Sequence, residues 1–217
     1  NTCAFCVSGG EKPVRTLSIE AIRERLQIIH QHGIKNVRVL DRTFNYNTRR
    51  AKELLELFLE YHPDIRFHLE IHPALLSEEL KEELKHLPEG LLHLEAGIQS
   101  LREPVLEKSR RMGKLTDALE GLKFLCSLPN METHADLIAG LPLYHLSEIF
   151  EDIRVLAAYG AGEIQLESLK LLPGTEMRRR AEELGIQYSP LPPYEVLQTR
   201  EINVSELQTA RQLSRLL

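Results

Sequence analysis

Apolar residues recur along this chain with two alternating periods. In "LSIEAIRERLQIIHQHG", Ile19, Ile22, Leu26 and Ile29 fall on one helical face, Ser18 is placed to cap the helix and Gly33 to end it. "NVRVLD" then alternates, with Val37 and Val39 on one side of a strand. The pair of patterns repeats. Further helices are expected in "TRRAKELLELFLEYH", "SEELKEELKHL" (capped by Ser77), "LTDALEGLKFLCSL", "LSEIFEDIRVLAAYG" and "TEMRRRAEELG". Further strands are expected in "IRFHLEIHP", "LLHLEAGIQS", "METHADLIAGLP" and "EIQLESLKLLPG", punctuated by Pro73, Gly140 and Pro142. Five strand–helix units, each of about 25 to 40 residues, have the length of a βα repeat. Such alternation implies a parallel sheet with right-handed crossovers.

The strand interiors separate a barrel from a doubly wound sheet. Strands covered on both faces read as near-continuous apolar runs. These carry a polar stripe instead: His68, Glu70 and His72 share a face, as do His93 and Glu95, then His134, Asp136 and Ile138, then Gln165 and Glu167. One polar-lined face on strand after strand predicts a (β/α) barrel with its site at the C-terminal strand ends. For any single histidine, a satisfied core or rim position is the better reading. Acidic side chains in the same place on four strands point to a site.

The tail changes character. "YSPLPPYEVLQTREIN" is proline-rich and aperiodic, so it reads as an extended wrap, and "SELQTARQLSRLL" as a short helix capped by Ser205. The division expected is a barrel core over 1–187 and an extended segment with a short helix over 188–217. No second core and no tandem repeat is visible.

Composition narrows the class. The chain has 217 residues, 42% hydrophobic and 27% charged, enough for one sizeable core. Net charge is −5 with the signs interspersed, and no basic run exceeds Arg178, Arg179 and Arg180, so no nucleic-acid footprint is expected. No apolar run is long enough to span a membrane and no signal-peptide pattern is present. Three cysteines, an odd number, predict a reducing, cytoplasmic setting.

Two of those cysteines, Cys3 and Cys6, stand within "NTCAFC". Cys-x-x-Cys can be a redox motif, half of a zinc site, an accident, or part of an iron–sulfur site. The first helix starts too far away for a thioredoxin-like redox motif, and no second Cys-x-x-Cys or His-x3-His completes a zinc site. The pair does lie on a loop at the mouth of the expected barrel.

Farther along, "LEIHP" carries Glu70 and Pro73 of an E-x-x-P element. "EAGIQS" carries Gly97, Gln99 and Ser100, "DLIAGLP" runs from Asp136 to Pro142, and "LLPGTEM" follows. With "CAFC", these ordered elements resemble the radical S-adenosylmethionine (radical SAM) superfamily, over nearly the whole chain. The nearest branches are those of oxygen-independent coproporphyrinogen oxidase and the B12-associated methylases, whose tail "PLPPYEVLQT" resembles. The family's loop is C-x-x-x-C-x-x-C. The chain is therefore expected to begin inside that motif, with the first cysteine and the first strand of a partial parallel (β/α)6 TIM-like barrel lying upstream.

The resemblance implies a [4Fe–4S] cluster on Cys3, Cys6 and an upstream cysteine, with S-adenosylmethionine on its open iron. An electron breaks a carbon–sulfur bond and yields a 5′-deoxyadenosyl radical, for hydrogen abstraction or radical methylation. It places Asp41, in "LDRTFN", where a family G-G-E element normally holds the methionine amino group. Glu70 accepts from a cationic or hydroxylic group, Gln99 and Asp136 bind ribose hydroxyls, and Arg111, on the next helix, pairs with the methionine carboxylate. Ile138 faces adenine, whose edge the backbone near Leu169 and Lys170 reads. It also implies cobalamin through a preceding domain, an electron donor such as a flavodoxin or ferredoxin, and a substrate that nothing here names. Gly9, Gly10 and Glu11 lie too early for that G-G-E element and read as a flexible turn. Cys126 reads as a small core hydrophobe. With two thiolates of three, the chain as given is expected to be inactive. Two other classes stay open: a TIM-like zinc or metal-independent enzyme, and a non-catalytic barrel that has lost its cluster.

Overall fold

The computed structural model describes residues 3–7 and 14–217, so Gly9, Gly10 and Glu11 lie outside the described residues. One sheet organises it: β1 (Asn36–Val39), β2 (Arg66–Ile71), β3 (Leu92–Gln99), β4 (Glu132–Ala139) and β5 (Glu163–Ser168). They lie in sequence order and every neighbouring pair is parallel. Period-two alternation decides the faces. Phe67, Leu69, Leu92, Leu94, Ala96, Ala135, Leu137 and Leu166 are buried beneath helices, while His68, Glu70, His93, Glu95, Asp136 and Gln165 are half-buried on the opposite face. This is the α/β, partial TIM-like parallel barrel that the polar stripe predicts.

The crossover helices are α1 (Ile19–Gln31), α2 (Thr48–Leu59), α3 (Glu78–His86), α5 (Leu115–Cys126) and α6 (Leu146–Ala158). Ser18 and Ser77 cap α1 and α3, their hydroxyls accepting the amides of Ala21 and Leu80 at 3.2 Å each. Helix α5 rests on the short turn Pro73–Leu75 that follows β2. The approach is so close that a Cβ on Gly121 would stand 2.2 Å from the Pro73 carbonyl oxygen. Glycine therefore lets this helix seat against the end of β2.

Four local expectations change. A six-residue helix, α4 (Glu103–Lys108), with Pro104 in its first turn, follows β3 where a loop was expected. The "TEMRRRAEELG" helix is two one-turn pieces, α7 (Glu176–Arg179) and α8 (Ala181–Leu184), broken at Arg180 by φ −102° and ψ 13°. The tail folds back as an antiparallel ribbon of β6 (Gln187–Tyr188) and β7 (Val196–Gln198). The last helix, α9 (Val204–Leu213), is capped by Asn203, not Ser205: Asn203 accepts the amide of Glu206 and Glu206 accepts that of Asn203. That reciprocal box satisfies two end amides at once, which Ser205 inside the helix cannot do. Val196, Ile202, Leu207 and Ala210 bury into the same core as the sheet, and the Val196 amide donates to the Leu169 carbonyl at 3.0 Å.

Candidate functional site

The segment carrying Cys3 and Cys6 is pinned by its backbone. The Ala4 amide donates to Ser109 at 2.9 Å, the Ala4 carbonyl accepts from Met177 at 2.8 Å, and Cys6 turns back onto the Cys3 carbonyl at 3.1 Å. Cys3 is buried and Cys6 half-buried, both as free thiols. Each sulfur has a guanidinium beside it: Arg111 Nη1 lies 3.8 Å from Cys3 Sγ and Arg42 Nη1 3.8 Å from Cys6 Sγ. Two soft donors with adjacent cations suit an electron-rich thiolate-bound iron centre.

Arg111 joins this loop to the sheet, for its Nη2 donates to the Gly97 carbonyl. It stands on the loop after α4 and not on a helix as expected. Arg110 there takes φ 54°, and the Arg111 amide closes the turn onto Leu106 at 2.8 Å. Three expected residues gather at Gly97. A Cβ there would meet Gln99 Nε2 at 2.7 Å, Arg111 Nη2 at 3.4 Å and Asp136 Oδ2 at 3.9 Å. Gln99 reaches the group through a register shift in the β3–β4 ladder and a left-handed φ of 76°. A buried non-glycine held there stores strain, which is typical of a site that needs one orientation.

Glu70 is half-buried on the same face, with Arg38 Nη2 at 4.0 Å. Burial and then Glu95 push its carboxyl above the usual range, opposed by Arg38 and Arg42. Asp41 behaves differently: it is exposed and accepts the amide of its own turn residue Thr43 at 3.2 Å. Ile138 sits on the polar face two residues beyond Asp136, opposite Glu167. Lys170 is exposed, its Nζ 3.9 Å from Glu167. The Leu169 backbone is already used on both sides, donating to Ala139 and accepting from Val196. Its carbonyl oxygen keeps a second lone pair.

Sequence reasoning noted Glu95, His93 and His134 only as members of a stripe, yet the structure builds them into the site's floor. His68 Nε2 meets Glu95 Oε2 at 2.7 Å, and His93 Nε2 meets His134 Nδ1 at 2.8 Å. His134 Nε2 lies 3.2 Å from Asp136 Oδ1. Burial pushes the Asp136 carboxyl up, with Glu95 adding and His134 opposing. Burial also opposes charging of His134, but Asp136 and Glu95 outweigh it and favour its imidazolium. Asp152 was also missed. It is 1% exposed and accepts from Tyr144 Oη at 2.6 Å, the Leu101 amide at 2.8 Å and Arg102 Nε at 3.0 Å, fixing the chain that leaves Gln99. Cys126 is half-buried against the core, and burial pushes its thiol up, as a structural cysteine requires.

The structure thus sets two cysteines and a polar wall around Gly97 on one parallel α/β sheet of the partial TIM-like barrel class. The sequence profile of the Radical SAM superfamily matches residues 1–156, and the chain belongs to that superfamily. No curated protein matches the sequence. Among solved structures, it is similar to the radical S-adenosylmethionine methyltransferase TsrM from Kitasatospora setae, solved with cobalamin and a [4Fe–4S] cluster bound. The TM-score is 0.72 at 19% identity, over 97% of this chain and 44% of that one. It is also similar to the cobalamin-dependent S-adenosylmethionine radical enzyme OxsB, at TM-score 0.65 and 13% identity over 97% and 38%. Coproporphyrinogen III oxidase (HemN) from Escherichia coli gives 0.56 at 17% over 85% and 50%. The chain thus spans half or less of the length of these proteins. Among the described residues, no helix is long and apolar enough to cross a membrane.

Proposed function

We propose that this chain is the S-adenosylmethionine-binding core of a radical SAM enzyme, with Cys3 and Cys6 as two ligands of a [4Fe–4S] cluster. The observation that carries the reading is Arg111, which reaches from the Gly97 carbonyl to the Cys3 sulfur and so links the cysteine loop to the Gln99–Asp136 wall. When bound, the cluster and S-adenosylmethionine supply reductive cleavage of a carbon–sulfur bond. The chain's own residues bind and orient. The Gln99 amide and Asp136 carboxylate take ribose hydroxyls, and the donors that Arg111 leaves free face the methionine carboxylate. Glu70 accepts from an ammonium or hydroxyl group, Ile138 offers adenine an apolar face, and Lys170 closes the rim. Asp41 takes the amino group after its side chain turns from Thr43.

We assign the chain to the cobalamin-associated branch. The two cobalamin enzymes match over 97% of it, tail included, against 85% for coproporphyrinogen oxidase. The substrate, a small molecule or of unknown kind, is unassigned, and an electron donor such as a flavodoxin or ferredoxin supplies the electron. Anaerobic reconstitution of the full-length protein with iron and sulfide is the test. Iron–sulfur absorption and 5′-deoxyadenosine or methylated product support the reading. Asp136→Ala is expected to weaken S-adenosylmethionine binding about 10- to 150-fold, the worth of one hydrogen bond to a charged group. An intact cluster with unchanged affinity overturns the Asp136 assignment, and the absence of any cluster overturns the class of chemistry.

A further inference from the structure

We propose that Glu95, His134 and Asp136 form a binding site for a divalent transition-metal ion, zinc in the first instance, in the floor of the barrel beneath Gly97. Their ligand atoms all lie within 4.8 Å of one another. His134 Nε2 stands 3.2 Å from Asp136 Oδ1 and 3.8 Å from Glu95 Oε2. Two atoms bound to one tetrahedral zinc at its usual nitrogen and oxygen distances lie about 3.4 Å apart. The two spacings bracket that value, so an ion enters without moving the backbone.

The second observation is a lack of partners. His134 is 4% exposed, yet apart from their mutual ion pair neither its Nε2 nor the buried Asp136 Oδ1 facing it has an aligned hydrogen bond among the described residues. Two buried polar atoms aimed at each other with the wrong alignment for a hydrogen bond are unusual. A cation between them satisfies both. Arg66 donates to His93 Nδ1, so His93 Nε2 donates to His134 Nδ1 and leaves the His134 proton on Nε2, which a metal ion must displace. Glu95 Oε2, the oxygen facing His134, also takes His68 and Arg38, so Arg38 competes with an ion there.

Scaffold and charge agree. Glu95 and His134 are direct partners in the parallel ladder, and Asp136 stands two residues farther along β4. The site is therefore set by strand register, not by a loop. Two carboxylates and an imidazole that releases its Nε2 proton on metal binding suit a borderline divalent ion. Three protein ligands leave a fourth position for water, the pattern of an open zinc site. Asp136 offers Oδ1 here, while its Oδ2 faces Gly97 and Gln99, so the site does not depend on the cofactor reading.

The test uses untagged chain with Cys3→Ala, Cys6→Ala and Cys126→Ala, so that thiolates contribute nothing. Zinc is titrated by calorimetry, with cobalt(II) as the optical probe. One equivalent of metal is expected, with a cobalt spectrum lacking sulfur-to-metal charge transfer. His134→Gln and Glu95→Gln are each expected to weaken zinc at least about 10-fold. Arg38→Ala frees Glu95 of its cation and is expected to tighten zinc, a gain that loss of structure cannot mimic. Absence of stoichiometric binding overturns the proposal. So does affinity unchanged by either ligand variant, or unchanged or weaker in Arg38→Ala; that variant decides the matter should a ligand variant not fold.

Discussion

Asn45 holds the backbone of His72 from both sides. Its Nδ2 donates to the His72 carbonyl and its Oδ1 accepts the His72 amide, each at 2.9 Å. A buried side chain from the loop after β1 thereby does for the end of β2 what a neighbouring strand would do. The held segment carries Glu70 and Pro73. Asn45→Ala leaves a buried amide and carbonyl unpaired and is expected to cost about 2 to 4 kcal/mol. Urea unfolding measures it, and a loss under about 0.5 kcal/mol would mean that water replaces the clamp.

His72 itself predicts acid sensitivity. It is 4% exposed, and burial first, then the Arg111 charge, lowers its imidazole from 6.5 to about 4. The unfolded chain therefore takes up this proton before the folded one does. The neutral ring's contribution is complete above pH 6.5, declines as pH falls, and is gone below about pH 4. The shift corresponds to about 3 kcal/mol. Among the described residues neither ring nitrogen has a hydrogen-bond partner, so His72→Leu is expected to leave stability at pH 8 nearly unchanged and to flatten the slope between pH 6.5 and 4. Urea midpoints across that range for both proteins decide it; parallel slopes would assign the sensitivity to other groups.

Asp152 predicts a link between stability and the site. It gathers Tyr144, Leu101 and Arg102 immediately after the strained Gln99. Asp152→Ala leaves the Arg102 charge without its most buried partner and is expected to cost about 3 to 5 kcal/mol. Tyr144→Phe removes one hydrogen bond to a charged acceptor and is expected to cost about 1.5 to 3 kcal/mol. Thermal unfolding measures both, and a Tyr144→Phe loss larger than that of Asp152→Ala would place the anchor on the tyrosine.

Gly121 predicts a steric effect. A methyl group there would stand 2.2 Å from the Pro73 carbonyl oxygen, which is backbone and must move with its turn. Gly121→Ala is expected to destabilise by about 1 to 3 kcal/mol, although alanine is the better helix former. A stabilised variant, read by denaturant midpoint, would show that α5 lifts away freely.

The strand–helix alternation, the caps at Ser18 and Ser77 and the inward polar stripe were legible in the sequence, because each rests on contacts between residues a few positions apart. The Asn203–Glu206 box was equally local and was overlooked in favour of Ser205. The elements that carry the family resemblance were legible too, since each is a short run read in order. What only tertiary structure decided is which of those residues meet. Gly97, Gln99, Arg111 and Asp136 converge because a bulge turns Gln99 over and a loop, not a helix, delivers Arg111. Asp41 follows its own turn instead, since an exposed carboxylate finds a nearby amide at no cost in chain ordering. The Glu95–His134 pairing depends on the register of strands 39 positions apart, counting from the paired residues. A two-residue periodicity states which face a side chain takes but never which residue stands beside it. That adjacency is set by the packing of helices against the sheet's other face, and it turns a polar stripe into a site.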